Sequence, residues 1–130
     1  MRISTGIDII EVDRVRKNIE KYGEKFLNKV YTESEIEYCE GKKIQRYESY
    51  AGRFAAKEAV FKAISWMLDG KFDVDWKDIE VINDKRGRPL VNVNNNSKIS
   101  NLEEIISIDI SISHVKNMAV ASVVIVTNNF

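Results

Sequence analysis

Apolar residues recur along this chain at two different spacings, and the changes between them mark out the elements. Ile3, Ile7, Ile9 and Ile10 crowd around Gly6 and Asp8, which predicts a first strand over Ile3 to Ile10. From Glu11 the spacing lengthens to three and four residues through Val12, Val15, Ile19 and Tyr22, with Arg14, Arg16, Lys17 and Lys21 between them. That is a helical pattern, and Gly23 is placed to stop it. Phe26, Leu27 and Val30 add a short apolar cluster. Thr32, Glu33, Ser34 and Glu35 then read as a capping box. The helix it opens carries Ile36, Tyr38 and Cys39 and ends at Gly41.

The longest periodic run is Tyr47 to Leu68. At about 100° per residue, Tyr47, Tyr50, Ala51, Phe54, Phe61 and Leu68 share one arc, predicted to face the core, and Glu58 projects inside it. A buried carboxylate needs a partner or loses its charge. One reading is a salt bridge, with Lys62 four residues on. The other makes Glu58 a metal ligand or a base beside Arg53, Lys57 and Lys62, and requires a second acidic residue from elsewhere in the chain. Ala51, Gly52, Ala55, Ala56, Ala59 and Ala63 allow close packing against a sheet or another chain. Asp69 and Gly70 break the run, and Phe72, Val74 and Trp76 alternate briefly after it.

The remainder reads as antiparallel sheet. Ile79 to Ile82 and Leu90 to Val93 are strands joined by a polar turn around Gly87, with Pro89 at the start of the return strand. Asn94 to Ser97 form a loop, and Lys98 to Glu104 a short helix or an extended connector. Ile106, Ile108, Ile110 and Ile112 alternate with Ser107, Asp109, Ser111 and Ser113, and His114 follows immediately. Met118 to Val126 is denser in apolar residues, which suggests a central strand. The predicted fold is α+β: a single compact domain over residues 1–130 with an antiparallel sheet packed against a long central helix.

Composition narrows the function. The chain is 44% hydrophobic and 31% charged, with 20 Lys and Arg against 20 Asp and Glu, so nonspecific nucleic-acid binding is not its expected main activity. No stretch is long enough to span a bilayer and the first residues show no export signal, so the expected location is cytoplasmic. Cys39 is the only cysteine and His114 the only histidine, which excludes an intrachain disulfide and multi-cysteine or multi-histidine metal sites.

Asp8 is the anomaly of the first strand. It either sits on a wet face or serves as a ligand, and Gly6 would let another backbone or a bound group come close. Oxygen ligands from Asp8 and Glu58 suit Mg²⁺, which keeps several waters and often takes substrate phosphate. Arg53, Lys57 and Lys62 then make sense as anion-binding groups. The basic turn Lys85, Arg86, Gly87, Arg88 and Pro89 is a second candidate for phosphate.

The same residues carry a family resemblance. Gly6-Ile7-Asp8-Ile9-Ile10-Glu11 resembles the amino-terminal motif of the phosphopantetheinyl transferases of the holo-acyl-carrier-protein synthase type. Arg53-Phe54-Ala55-Ala56-Lys57-Glu58-Ala59, continued to Lys62, resembles their central motif, and Gly87-Arg88-Pro89 and Ser111-Ile112-Ser113-His114 resemble two more, in order over nearly the whole chain. The resemblance implies the phosphopantetheinyl transferase fold and transfer of 4′-phosphopantetheine from coenzyme A to a serine of apo acyl carrier protein, with release of adenosine 3′,5′-bisphosphate. It implies fatty acid biosynthesis as the setting.

It also implies roles for named residues. Asp8 and Glu58 would hold Mg²⁺ against the diphosphate, and Lys62 would stabilise charge on the phosphate. Arg53, Lys57, Gly87, Arg88, Pro89 and His114 would belong to or border the coenzyme A site. Arg14 and its basic neighbours would face the acidic carrier protein, and the assembly would be a homotrimer with sites between subunits. The proton of the serine would go to Glu58, a metal-associated water or Glu35. The chain departs from the family at Phe61, Trp66, Val115 and Met118, changes that leave the acidic pair and the basic groups intact. The nonenzymatic alternative is an anion- or nucleotide-binding module built from the same residues.

Overall fold

A computed structural model describes residues 1–68, 74–94 and 102–128. The chain runs β1 (Arg2–Glu11), α1 (Val12–Tyr22), α2 (Glu24–Val30), α3 (Glu33–Glu40), α4 (Arg46–Ile64), β2 (Ile79–Asn83), β3 (Pro89–Val93), β4 (Ile105–His114) and β5 (Met118–Thr127). Strands β1, β5 and β4 form one antiparallel sheet with β5 in the middle, while β2 and β3 pair as a separate hairpin. The expected central place of the last strand follows from its inner face: Ala119, Ala121, Val123 and Ile125 are all buried.

Local chemistry sets the boundaries. Gly23 ends α1 with φ 55°, a left-handed conformation that favours glycine. The capping box forms as the sequence predicts, with Thr32 Oγ1 accepting from the Glu35 N–H and Glu35 Oε1 accepting from the Thr32 N–H. Phe26, Leu27 and Val30 lie on a helix of their own rather than in a mere cluster. The long helix stops at Ile64 and tightens into a 3₁₀ turn over Ser65–Met67, where the Ser65 hydroxyl donates to the Lys62 carbonyl. Leu102–Glu104 is a 3₁₀ turn. The readings made for Asp69, Gly70 and Phe72, and for the stretch from Asn95 to Asn101, lie outside the described residues.

Helix α4 crosses the inner face of the sheet. Gly6 on β1 has no room for a side chain, because a Cβ there would stand 1.9 Å from the carbonyl oxygen of Ala59. The close approach expected at Gly6 is therefore that of the α4 backbone. Nearer its start, Gly52 lies against β4, where an added Cβ would meet Ile112 Cγ2 at 3.0 Å. The helix thus runs from the β4 side of the sheet to the β1 side.

The arc expected to face the core does so only in part, at Tyr50 and Ala51, which are fully buried. Tyr47, Phe54, Glu58, Phe61 and Leu68 are only half-buried, whereas Ala51, Gly52, Ala55, Ala56, Ala59 and Ala63 are buried against the sheet. Helix and sheet approach closely where side chains are small, so the small residues line the core and the aromatic ones fill its margin. Glu58 is consequently a marginal carboxylate rather than a core one.

Candidate active site

Two clusters flank α4. The first is acidic. Asp8 does not lie on a wet outer face: it shares the inner side of β1 with Ser4, Gly6 and Ile10, and its side chain is 17% exposed. Lys62, on the last turn of α4, donates to Asp8 Oδ1 at 3.1 Å and to the Ile7 carbonyl at 3.0 Å. Glu58 stands one turn before Lys62 on the same helix face. Partial burial, then the nearby Asp8 charge, raise the Glu58 pKa above its ordinary value, while Lys62 pulls it back. Two carboxylates that repel each other beside one lysine are a fit for a hard divalent cation that keeps its own waters. Among the described residues no group of three or more potential ligand side chains gathers, so such a cation would need water or substrate oxygens to complete its shell.

The second cluster lines a cavity on the other side of the helix. Arg53, Gly87, Pro89 and His114, four residues singled out from sequence, line one cavity together with Tyr38 and Asn83. Arg53 is only 4% exposed. Its Nη2 donates to Asn83 Oδ1 at 2.5 Å and its guanidinium lies 3.8 Å from the Tyr38 ring centre. Its Nε is buried without a hydrogen-bond partner among the described residues. Asn83 also donates to the Gly87 carbonyl, tying the hairpin turn, where Gly87 has φ 85°, to the arginine.

Three sequence-based expectations need correction or relocation. Lys57 does not offer its ammonium to a ligand: the side chain is fully buried and its three donors go to Glu35 Oε1 at 2.7 Å, the Ile79 carbonyl at 2.6 Å and the Trp76 carbonyl at 3.0 Å. Burial pulls its pKa below the ordinary lysine value, with Glu35 opposing. Glu35 is not available as a base either. It is fully buried, and besides Lys57 it accepts from the Thr32 and Val81 N–H groups. Arg88 lies outside this cavity, exposed and paired with Asp109 at 2.6 Å. The departures at Phe61 and Trp66 are both accommodated. Phe61 lines an apolar cavity beside Glu58 with Val74, Trp76 and Ile79, and the Trp66 indole donates to Ser4 Oγ at 2.8 Å.

Tyr38, Asn83 and Glu48 were not singled out for a site. Tyr38 reads as one more apolar helix position, and Asn83 as a turn residue, because what makes them significant is contact with Arg53 and its cavity across about 15 to 30 residues of chain.

The sequence profile of the 4′-phosphopantetheinyl transferase superfamily matches residues 4–123. The chain belongs to that superfamily. Among curated relatives, it is 44% identical over 126 residues to the holo-[acyl-carrier-protein] synthase of Ruminiclostridium cellulolyticum, covering 96% of this chain and 92% of that one. The fold is also similar to solved structures. The holo-(acyl-carrier-protein) synthase of Bacillus anthracis, in complex with CoA (3′,5′-ADP), superposes with a TM-score of 0.76 at 40% identity and 96% coverage of both chains. That of Helicobacter pylori, in complex with coenzyme A, gives a TM-score of 0.79 at 34% identity, covering 94% of this chain and 99% of that one. As a phosphopantetheinyl transferase, the chain has the α+β architecture expected from its sequence.

Proposed function

We propose that this chain is a holo-acyl-carrier-protein synthase, transferring 4′-phosphopantetheine from coenzyme A to a serine hydroxyl of apo acyl carrier protein and releasing adenosine 3′,5′-bisphosphate. The observation that carries the reading is the pairing of an acidic cluster, Asp8, Glu58 and Lys62, with a pocket lined by the Arg53 guanidinium and His114. A diphosphate substrate needs both a place for a cation and fixed positive donors.

Asp8 and Glu58 are the residues that would hold Mg²⁺. When bound, the cation would neutralise charge on the diphosphate oxygens. The serine oxygen forms a new bond to the pantetheine-side phosphorus as the bond to the adenosine bisphosphate oxygen breaks. Lys62, more than half exposed, is placed to meet the charge that develops on the phosphoryl oxygens. Arg53 and His114 would hold the leaving bisphosphate, with the Gly87 and Pro89 turn closing the pocket around it. With Glu35 committed to the fold, the serine proton passes to Glu58 or to a water held beside it.

The assembly reading has its own support. Asp8 on β1 and Ile112 on β4 both pair with Ala121 of β5 from opposite sides, which puts the acidic cluster and the His114 end of β4 about 10 Å apart across the sheet. Arg53 and Glu58 also point about 140° apart around α4. One chain therefore offers its two half-sites on different sides of the helix, and a neighbouring copy would complete each. The outer sheet face supplies a surface for that copy, with Ile3, Ile7 and Ile9 at 63%, 64% and 64% exposure beside exposed Val124. A homotrimer with sites between subunits accounts for both features. Exposed Arg14, with Lys17 and Lys21 on the same helix, would face the acidic carrier protein. The described residues include no helix long and apolar enough to cross a membrane, and the reading places the enzyme in the cytoplasm, in fatty acid biosynthesis.

The deciding experiment is intact mass analysis of an apo acyl carrier protein incubated with this chain, coenzyme A and Mg²⁺, with an EDTA control. A metal-dependent phosphopantetheine addition is the expected result. Coenzyme A binding without addition to any folded carrier would instead support the binding-module alternative.

A further inference from the structure

His114, at the end of β4, is held by a residue that lies behind the cavity it faces. Its Nδ1 is 3.0 Å from Glu48 Oε2, on the first turn of α4, and the Glu48 side chain is 21% exposed against 39% for the ring. Four residues along the same helix face stands Gly52, where an added Cβ would lie 3.0 Å from Ile112 Cγ2 and 3.9 Å from His114 Cδ2. Glu48 and Gly52 together make a seat for the imidazole. The carboxylate takes the Nδ1 edge, and the missing side chain admits the Cδ2 edge.

The ring seated this way lines the anion pocket with Arg53, whereas Glu48 does not line it. The carboxylate therefore acts on the ring without standing in the ligand's path. An ionised carboxylate only accepts, so the Nδ1 nitrogen must carry the proton. Nε2, which has no hydrogen-bond partner among the described residues, is then the nitrogen left to a ligand. When an anion enters beside Arg53 and Lys42, a doubly protonated ring gives it an Nε2–H donor, and Glu48 balances the charge from behind.

We propose that Glu48 is a positioning residue for the transfer reaction: it holds His114 with the proton on Nδ1 and so presents Nε2 to the anionic part of the coenzyme. This rests on the reading of the pocket as the coenzyme A site. A deletion of the carboxylate should weaken coenzyme binding while leaving the chemistry of the bound complex largely intact.

The lone histidine makes the test clean, since long-range ¹H–¹⁵N spectra contain a single imidazole. Spectra of the neutral ring would be recorded for the wild type, Glu48→Ala and Glu48→Gln, followed by coenzyme A titrations and steady-state transfer assays on the same samples. The wild type and Glu48→Gln, whose amide oxygen still accepts, should show the Nδ1–H tautomer, and Glu48→Ala the Nε2–H tautomer that predominates in free imidazole. Loss of a charge-assisted hydrogen bond should raise KM for coenzyme A about tenfold in Glu48→Ala with kcat changed less than about twofold, and Glu48→Gln should recover part of the KM. An unchanged tautomer in Glu48→Ala, or a changed tautomer with unchanged KM, overturns the proposal. A wild-type protein with the Nδ1–H ring that neither binds coenzyme A nor transfers would instead overturn the reading of the pocket, and with it the ligand assigned to Nε2.

Discussion

The Lys57 ammonium lies 2.7 Å from the Glu35 carboxylate, and neither side chain has any exposed surface. The pair joins three elements: Glu35 caps α3 and accepts the Val81 N–H of β2, while Lys57 on α4 also bonds the Trp76 and Ile79 carbonyls at the entry to the hairpin. Removing one member of such a pair strands the other's charge. Lys57→Met should therefore cost about 3 kcal/mol or more, and the double variant Glu35→Gln, Lys57→Met should recover part of the loss because no naked carboxylate remains. Urea unfolding of both single variants and of the double variant checks this. A double variant less stable by the full sum of the two single changes would show that the ion pair itself contributes nothing.

Gly6 and Ala59 make a second close contact with a measurable consequence. A Cβ at Gly6 would lie 1.9 Å from the Ala59 carbonyl oxygen, a backbone atom that no side-chain rotation can move aside. Gly6→Ala should destabilise the protein by about 3 kcal/mol, seen as a lower urea midpoint, because β1 and α4 must separate. The same separation should lower transfer activity, since Asp8 is carried by β1 and Lys62 by α4. A variant with wild-type stability would show that the helix can slide on the sheet.

Cys39 is fully buried and its sulfur accepts from the Ser49 hydroxyl at 3.3 Å. Burial, the largest influence, pushes its pKa from 9.0 up to about 11. The thiol should therefore react very slowly with iodoacetamide at pH 8 in the native protein and rapidly in denaturant. The sign for stability follows from linkage. Below pH 9.0 the thiol is protonated in both states, and between 9.0 and about 11 only the unfolded chain sheds the proton, so this group makes the native state progressively less stable as pH rises through that window. Replacing Cys39 by Ala should flatten the alkaline fall in urea midpoint, and an unaltered fall would assign it to other groups such as the buried Tyr31.

How much of this was legible in the sequence depends on the range of the interaction. The Thr32 and Glu35 capping box is local, and it formed as read. The strand alternation from Ile108 to Ile112 and the apolar density of β5 are likewise legible, because a period of two survives whatever packs on it, whereas at Ile106 a bulge in the pairing breaks the alternation and leaves that side chain 54% exposed. The α4 core face is legible in part. Tyr50 and the small residues from Ala51 to Ala63 pack inward as the sequence predicts, whereas Tyr47, Phe54 and Phe61, whose bulk points to the core, end at its margin because the close approach of helix and sheet leaves room only for alanine and glycine. Lys57 reads as a ligand-facing cation because its partner Glu35 lies in another element and already has a local role. Asn83 and Glu48 show no pattern at all in the sequence, since each matters only through one long-range contact.

The isoleucines of β1 supply the last prediction. Ile3, Ile7 and Ile9 point away from α4 into an exposed outer face, although a strand with one solvated side should carry polar residues there. If a neighbouring copy covers that face, Ile7→Lys should shift light scattering from a trimer to a monomer and reduce transfer, because each acidic cluster would lose the anion pocket of its neighbour. Mixing gives a sharper readout. Asp8→Asn and His114→Ala each impair a different half-site, so separately weak proteins, unfolded and refolded together, should regain activity in hybrid trimers that pair one intact acidic cluster with one intact pocket. A mixture no more active than its components would mean that each site draws both halves from one chain. The exposed isoleucines would then need another partner.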